Sequence, residues 1–204
     1  MTSRVLYGHY ESGHSYKVAL ALNLLGLPYE YREVAVFSPR EERREDWQAV
    51  TRYGEIPVLV TDGKPLSQSD AILLSLARTT GRLDGGDIDQ AAQWLFWEAN
   101  RIGISLPNYR LYRRWEAGDP GLLAWLRARL EADMGRLEQE LHERPFLMGE
   151  EVSIADCACA GYAWFFDQTG LDIGAWPHVK AWLGRLAALP GWKHPYELLR
   201  EEAV

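Results

Sequence analysis

The 204-residue chain has only two cysteines, and no apolar run in it approaches the length of a membrane span. Cys157 and Cys159 are two positions apart, which on a helix places them on different faces. They are therefore predicted to be buried free thiols rather than a disulfide or a metal pair. Basic residues are not in excess, since the net charge is −7, and this argues against nucleic acid as the main partner. The N-terminus has no long apolar leader segment. These absences predict a cytoplasmic protein without a metal, membrane or nucleic-acid partner.

Aromatic residues, in contrast, are abundant, with nine tryptophans in the chain. This number indicates large aromatic packing surfaces or an aromatic pocket. A hydrophobic content of 47% is ordinary for a globular protein, and the length allows one or two domains. The first eighty residues have a pattern of their own, in the order βαβ, α, ββα. This pattern predicts strands over 4–7 and 29–36 and helices over 15–25 and 40–49. A hairpin and a last helix follow them.

The hairpin and helix lie within residues 54–72, the most informative local segment. An Asp-Gly turn signal separates two short β-preferring runs, and Ser67 or Ser69 can cap the helix predicted over 69–77. Proline cannot donate to a sheet ladder, so Pro57 must lie at a strand start, an edge or a bulge. The backbone of Ile56 is then free to pair with a peptide-like ligand by strand addition.

Residues beyond 80 have a helical pattern. A long helix is predicted over 88–114, and Pro107 should kink or break it. Asp119 followed by a proline is typical of a helix start. Ser153, with Asp156 three residues later, resembles a capping box that begins a further helix.

Four segments, taken in this order and at these separations, resemble the cytosolic glutathione S-transferases, and the resemblance covers essentially the whole chain. The segments are Ser12–Val18 (SGHSYKV), Glu55–Leu59 (EIPVL), Gln68–Ile72 (QSDAI) and Ser153–Asp156 (SIAD). The resemblance implies an α/β, thioredoxin-like glutathione-binding domain over 1–80. It also implies an all-α domain over 87–204 that contributes the electrophile pocket. Glutathione would be the co-substrate, and the protein would be a homodimer.

The same resemblance implies roles for individual residues. Ser12 occupies the catalytic position of serine-type members, where the hydroxyl stabilises the glutathione thiolate. Pro57 would follow a cis peptide bond, and Ile56 would pair its backbone with the cysteinyl part of glutathione. Gln68 and Ser69 match the pair that holds the γ-glutamyl end, where a helix N-terminus favours a carboxylate.

Several hydroxyl groups compete for the catalytic role. Tyr7 ends the first predicted strand, where tyrosine-type relatives carry their hydroxyl, and Tyr10 and Ser15 also lie close in sequence. Ser12 could instead be only a turn cap, whereas Ser15 is predicted to be the helix N-cap. His14 is predicted to be a surface-loop residue, with electrostatic tuning of the thiolate as the alternative.

Two features depart from the family pattern. Glu55 stands where many members carry lysine or glutamine beside the glycyl end of glutathione, and a carboxylate there would repel the ligand unless it points away. Arg40 or Arg43 could supply the missing positive charge. Serine rather than cysteine at position 12 argues against a mixed-disulfide reductase.

The electrophile pocket is predicted to be aromatic, because aromatic side chains provide apolar area with polar tips. Its wall is predicted in the helical half, over Trp94, Trp97, Asn100, Arg101, Pro107, Asn108, Tyr109 and Tyr112, together with Tyr10. Arg101 is the strongest charged candidate, and Trp97 could instead be buried between helices or at a dimer interface.

The function implied by the resemblance is detoxifying conjugation of glutathione to a small, hydrophobic electrophile. Two alternatives remain at this point. The same thiolate could serve a glutathione-dependent peroxidase, disulfide reductase or isomerase, or the chain could be a non-catalytic binding module that keeps the fold.

Overall fold

The computed structural model describes residues 2–115 and 118–200. Its sheet has the strand order β2-β1-β3-β4, in which β2 runs parallel to β1 while β3 and β4 are antiparallel. The strands are β1 (Arg4–Gly8), β2 (Glu30–Glu33), β3 (Val58–Thr61) and β4 (Lys64–Ser67). Pro65 is tolerated in β4 because this strand lies at the edge of the sheet.

Three α-helices accompany this sheet: α1 (Gly13–Leu24), α2 (Glu45–Val50) and α3 (Ser69–Thr80). Helix α1 begins earlier than predicted, because Ser12 rather than Ser15 is its N-cap. The helix predicted over 40–49 is divided into a 3₁₀ turn at Arg40–Glu42 and the short helix α2. The backbone of Arg43 and Arg44 is extended between them, which interrupts the helical hydrogen bonds.

The rest of the described chain is helical and has no further strand beyond an isolated bridge. Its helices are α4 (Ile88–Asn100), α5 (Ile102–Arg114), α6 (Pro120–Glu140), α7 (Ile154–Ala160), α8 (Pro177–Ala187) and α9 (Pro195–Leu198), with 3₁₀ segments at Ala163–Thr169 and Ile173–Ala175. A small four-stranded α/β unit followed by a helical unit confirms the thioredoxin-like plus all-α fold expected from the sequence.

The break in the long predicted helix is at Arg101 and not at Pro107, so that prediction was wrong. Arg101 has φ −120° and ψ −100°, outside the helical region, whereas Pro107 lies inside α5. A Cβ atom on Gly103 would lie 2.8 Å from Cδ of Glu98, so the first turn of α5 packs directly on the last turn of α4. Pro107 lies inside α5, where it cannot donate the N–H that would otherwise bond to the carbonyl of Gly103.

The hydrophobic core joins the two units. One buried cluster combines Leu6 and Leu59 of the sheet with α1 and α3, and it extends to Leu95 of α4 and Ile154 of α7. A second cluster lies among α5, α6, α7 and α8. Cys157 and Cys159 of α7 are buried free thiols, as predicted.

The N-terminus of α7 is a complete capping box, as the sequence predicted. The buried Asp156 carboxylate accepts hydrogen bonds at 2.9 Å from the backbone N–H groups of Leu147 and Ser153, from the Ser153 hydroxyl and from Nε1 of Trp182. One carboxylate thus fixes the start of α7, the loop before it and helix α8. Within the described ranges, no helix is both long and apolar enough to cross a membrane.

Candidate functional site

A cavity of about 570 Å³ lies where the two units meet. Its walls come from the loop between β1 and α1, the segment before β3, the N-terminus of α3, helices α4 and α5, and the residue Tyr162. Five residues predicted from local motifs line this one cavity: Ser12, Ile56, Pro57, Gln68 and Ser69. Each of their segments begins or ends a strand or a helix at the same end of the sheet, and this brings the five residues together.

Ser12 lies at the N-terminus of α1. Its Oγ accepts a hydrogen bond from the backbone N–H of Ser15 at 3.2 Å, and its own N–H donates to the carbonyl of His9 at 2.9 Å. The Ser15 hydroxyl is fully buried and accepts from the N–H of His9 at 3.2 Å, so Ser15 holds the loop and does not face the cavity. The Ser12 hydroxyl therefore combines a position on the cavity wall with the positive end of a helix dipole.

Tyr162 is the site residue that sequence reasoning missed. It follows α7 and lines the cavity; burial raises the pKa of its phenol, and the neighbouring Ser12 hydroxyl partly opposes that shift. A Cβ atom on Gly13 would lie 2.5 Å from the Tyr162 ring, and one on Gly161 would lie 2.8 Å from the carbonyl oxygen of Gly13. The two glycines allow α1 and α7 to approach closely, but they lie far apart in sequence and form no local motif.

The competing tyrosines lie elsewhere. Tyr7 is buried in a small cluster with Val34 and Trp47, its hydroxyl accepts from Arg32 at 3.1 Å, and burial raises its pKa against the opposing effect of Arg32. Tyr10 stacks on the ring of His9 at 4.3 Å. Neither tyrosine lines the cavity.

His14 is partly buried and lies in α1, which differs from the surface-loop position predicted for it. It lines the cavity in the first turn of α1, and its ring meets Tyr162 edge to face at 5.0 Å. Burial, together with the nearby charge of Lys17, lowers the pKa of His14 well below its usual value, so the imidazole is neutral at pH 7. Its Nδ1 is buried and has no hydrogen-bond partner among the described residues.

The segment before β3 and the start of α3 form the opposite wall. The Ile56–Pro57 peptide bond is cis, as the resemblance implied. Gln68, not Ser67 or Ser69, occupies the N-cap position of α3, with φ 73° and no side-chain cap hydrogen bond. The first N–H groups of α3 therefore lack a side-chain cap, which suits an anion.

Glu55 is turned toward Gln68, whose Nε2 donates to its Oε2 at 2.8 Å. The arginines expected to offset it are engaged with the protein. Arg43 lines the cavity, but its guanidinium donates to the carbonyls of Val36 at 2.8 Å and Ser38 at 3.1 Å. The guanidinium of Arg40 lies against Gly54, where a Cβ atom would be 2.8 Å from its Cζ.

A buried ion-pair network closes the base of the cavity. Lys17 is fully buried, and its Nζ lies 2.5 Å from Oε2 of Glu98 and 3.5 Å from Oδ1 of Asp70. Burial would lower the pKa of Lys17, but the two carboxylates together raise it. For Glu98 burial dominates over the charge of Lys17 and raises its pKa to about 7.

Because the pKa of Glu98 is raised, the protein is expected to be more stable at low pH than at high pH. The folded protein holds the Glu98 proton more tightly than the unfolded chain, so this contribution is full below about pH 4.5 and is lost as pH rises through 7. We expect the free energy of unfolding to fall on the order of 2 kcal/mol between about pH 5 and 8, and Glu98→Gln to remove this slope. Urea denaturation across that range, with the exposed Glu131→Gln as control, measures it. An equal slope in Glu98→Gln would assign the dependence to other groups.

Only part of the predicted electrophile wall lines the cavity. Pro107 and Asn108 do so, whereas seven predicted residues do not: Tyr10, Trp94, Trp97, Asn100, Arg101, Tyr109 and Tyr112. Trp97 packs against Trp94 at 5.4 Å in the helical unit, Tyr109 is buried in the second core cluster, and Arg101 pairs with Asp133 at 2.7 Å.

The residues of α5 that line the cavity follow one another at helical spacing: Gly103, Ile104, Pro107, Asn108, Arg110 and Leu111. Phe37 and Trp115 complete this wall; they are 67% and 42% exposed, and their rings are 6.2 Å apart. The cavity mouth is therefore aromatic, as expected, but it is built from different residues.

The described residues contain no group of three or more histidine, cysteine, aspartate or glutamate side chains able to hold a metal ion. Burial raises the pKa values of the Cys157 and Cys159 thiols, which keeps both protonated and unreactive. The cavity thus offers hydroxyl groups, a neutral imidazole, the uncapped N-terminus of α3, an apolar wall and the carboxylates of Glu11, Glu55, Asp70 and Glu98.

Comparisons with known proteins agree with this geometry. The family model for the glutathione S-transferase N-terminal domain matches residues 6–82, and that for the C-terminal domain matches residues 126–185. The disulfide-bond oxidoreductase YfcG of Escherichia coli is 30% identical over an alignment of 193 residues, and the match covers 88% of this chain and 87% of that protein. The maleylacetoacetate isomerase of Pseudomonas aeruginosa is 25% identical over 203 residues, covering 93% and 95%.

A solved structure shows the same fold. The glutathione transferase of Burkholderia graminis, with two glutathione molecules bound per subunit, superposes with a TM-score of 0.81 at 26% identity and covers 97% of this chain and 87% of its own. Both domain models match in the expected order, and the E. coli relative extends over most of the chain. The chain therefore belongs to the glutathione S-transferase family.

Proposed function

We propose that this protein is a glutathione transferase that conjugates glutathione to a small, apolar electrophile. The observation that carries the proposal is the position of the Ser12 hydroxyl, which faces the same cavity as Ile56, the cis-Pro57 and the N-terminus of α3. A tripeptide with a thiol in its middle and a carboxylate at its γ-glutamyl end matches this arrangement.

Glutathione would bind along the wall opposite the aromatic mouth. Its γ-glutamyl carboxylate would accept hydrogen bonds from the first N–H groups of α3 and from Ser69, where the helix dipole favours an anion. Its cysteinyl backbone would pair with Ile56, since the ladder of β3 begins only at Val58. This orientation directs the thiol toward Ser12.

Ser12 would then stabilise the thiolate. A free thiol of this kind has a pKa of about 8.5 and is mostly protonated at neutral pH. Lowering that pKa by about 2 units requires about 2.7 kcal/mol of differential stabilisation. A hydroxyl donating to sulfur, together with the N-terminus of α1, supplies energy of this order. The neutral Tyr162 phenol beside Ser12 would donate to the Ser12 oxygen, which leaves the Ser12 hydroxyl proton free to donate to the sulfur.

The electrophile would lie between the thiolate and the wall formed by Phe37, Ile104, Leu111 and Trp115. These side chains offer apolar and aromatic surface, so flat hydrophobic compounds are the favoured class. Conjugation then follows from proximity to a stabilised thiolate, and no general base is needed. Conjugation of this kind is a detoxification reaction.

A glutathione-dependent disulfide reductase is the second candidate, because the E. coli relative is named a disulfide-bond oxidoreductase. Both cysteines of this chain are buried, so the attacking thiolate would again be that of glutathione at Ser12. The two functions differ in the second substrate and share the same thiolate.

A substrate panel separates these candidates. With glutathione present, we expect the protein to conjugate an activated aryl halide. We expect it to reduce a small aliphatic disulfide or a hydroperoxide, and to isomerise a cis-dienoic acid, much more slowly. Higher kcat/KM for the disulfide would favour the reductase. Absence of turnover with every substrate would favour a non-catalytic binding module.

We further propose a homodimer in the cytoplasm, with residues 1–80 as the glutathione-binding domain and 87–204 as the helical domain. The exposed Phe96 of α4, with 72% of its surface accessible, supports an interface on this helix. Light scattering should give twice the mass of 23.3 kDa, and a monomer mass would overturn the dimer.

A further inference from the structure

Glu11, immediately before Ser12, is held by a cluster of side chains from the helical unit. We call this the Glu11 cluster, and its other members are Arg110, Arg114, Gln168 and Tyr196. They come from α5, from the 3₁₀ segment after α7 and from α9. The catalytic loop of the α/β unit is therefore anchored by three separate parts of the other unit.

Arg110 makes the most extensive contacts with Glu11. Its side chain is 3% exposed; Nη1 donates to the backbone carbonyl of Glu11 at 2.9 Å, and Nη2 pairs with the Glu11 carboxylate. The carbonyl contact fixes the peptide unit that joins Glu11 to Ser12. A displacement of Arg110 would therefore move the Ser12 backbone directly.

Tyr196 holds the carboxylate from the other side. Its hydroxyl lies 3.1 Å and 3.0 Å from the two carboxylate oxygens of Glu11, to which it donates, and it accepts from Nε2 of Gln168 at 2.9 Å. Gln168 in turn accepts from Nε of Arg110 at 2.7 Å. The four side chains thus form a closed set in which each polar group has a partner.

The cluster also sets the charge beside Ser12. A carboxylate one residue from the group that contacts sulfur opposes formation of a thiolate. Arg110 and Arg114, the latter 3.5 Å from the carboxylate, place two positive charges against this one negative charge. Because Arg110 itself lines the cavity, the excess positive charge is felt where the thiolate would form.

We propose that Tyr196 and Arg110 are positioning residues for Ser12, which act by holding Glu11 in place and neutralising its carboxylate. This inference rests on the proposed function for its catalytic consequence, but the restraint of the loop does not depend on that function. Tyr196 is close to the end of the chain, so the last helix contributes to a site built from the first strand and helix.

The restraint is tested without ligand. Tyr196→Phe removes only the hydroxyl, and we expect amide hydrogen exchange in the segment around residues 9–12 to accelerate roughly tenfold, since a hydrogen bond to a charged group is lost. Tyr29→Phe, a hydroxyl deletion outside the cavity, should leave this segment unchanged. Unchanged exchange in Tyr196→Phe would overturn the inference, whatever the protein does with glutathione.

The charge effect is tested by the sign of two changes in the thiol pKa of bound glutathione, followed by thiolate absorbance. Tyr196→Phe should raise that pKa by about half a unit, while Glu11→Gln, which removes the opposing charge, should lower it by a similar amount. Tyr196→Phe in the Glu11→Gln background should shift it little further. Shifts of the same sign in both single variants, or a change in glutathione KM alone, would overturn the charge effect. Accelerated exchange in Tyr196→Phe without any thiolate in the unmodified protein would refute the proposed function and leave the restraint standing.

Discussion

Replacing Asp156 by alanine should lower the free energy of unfolding by about 4 kcal/mol, the largest loss expected for a single polar substitution here. The substitution leaves two backbone N–H groups, those of Leu147 and Ser153, and the indole N–H of Trp182 buried without an acceptor. Each such orphaned donor costs about 1–3 kcal/mol. The effect should spread beyond α7, because this carboxylate also joins the preceding loop and α8.

Two related variants calibrate this prediction. Asp156→Asn keeps one acceptor and should lose less, while Ser153→Ala removes only the N-cap hydroxyl and should lose about 1 kcal/mol. Urea denaturation followed by tryptophan fluorescence measures all three, since Trp182 itself reports on the site. A loss below about 1 kcal/mol in Asp156→Ala would mean that water or a shifted side chain satisfies these donors.

Replacing Ser12 by alanine should reduce kcat/KM for conjugation by about two orders of magnitude, equivalent to about 2.7 kcal/mol of lost transition-state stabilisation. The loss should lie mainly in kcat at neutral pH, because the γ-glutamyl and cysteinyl contacts of glutathione remain and KM depends on them. Ser12→Thr retains a hydroxyl and an N-cap and should keep most of the activity.

Ser12 also caps α1, so the experiment needs a stability control. Loss of this cap costs about 1 kcal/mol, and the thermal midpoint of Ser12→Ala should fall only modestly. Activity that survives in Ser12→Ala but is lost in Tyr162→Phe would transfer the role to Tyr162, whose phenol lies beside Ser12. Activity that survives in both would refute a hydroxyl-stabilised thiolate.

The wall proposed to bind glutathione could be predicted from the sequence because its residues belong to short local motifs. Ser12 stands at a strand-to-helix junction, Pro57 must precede a strand, and Ser69 opens a helix, so each position follows from local rules. The strands pair in the order β2-β1-β3-β4, and this pairing brings these junctions to the same end of the sheet.

The rest of the site depends on contacts that no local pattern encodes. Tyr162 reaches Ser12 only because Gly13 and Gly161 allow two helix ends to meet. Of the residues predicted for the electrophile wall, only Pro107 and Asn108 line the cavity, and the break at Arg101 is not marked by a proline. Glu11 belongs to no motif in the sequence. Its partners come from α5, from α9 and from the 3₁₀ segment that follows α7.

A titration of the unmodified protein with glutathione, by calorimetry with thiolate ultraviolet absorbance read in parallel, should be done first. If Ser12 contacts the sulfur, we expect saturable binding of glutathione and a thiolate band at neutral pH. The pKa of the bound thiol should lie about 2 units below the free value of about 8.5. Binding without a thiolate band would mean that the cavity holds the tripeptide but does not activate it. Absence of binding at millimolar glutathione would refute the proposed transferase and leave a non-catalytic member of the family.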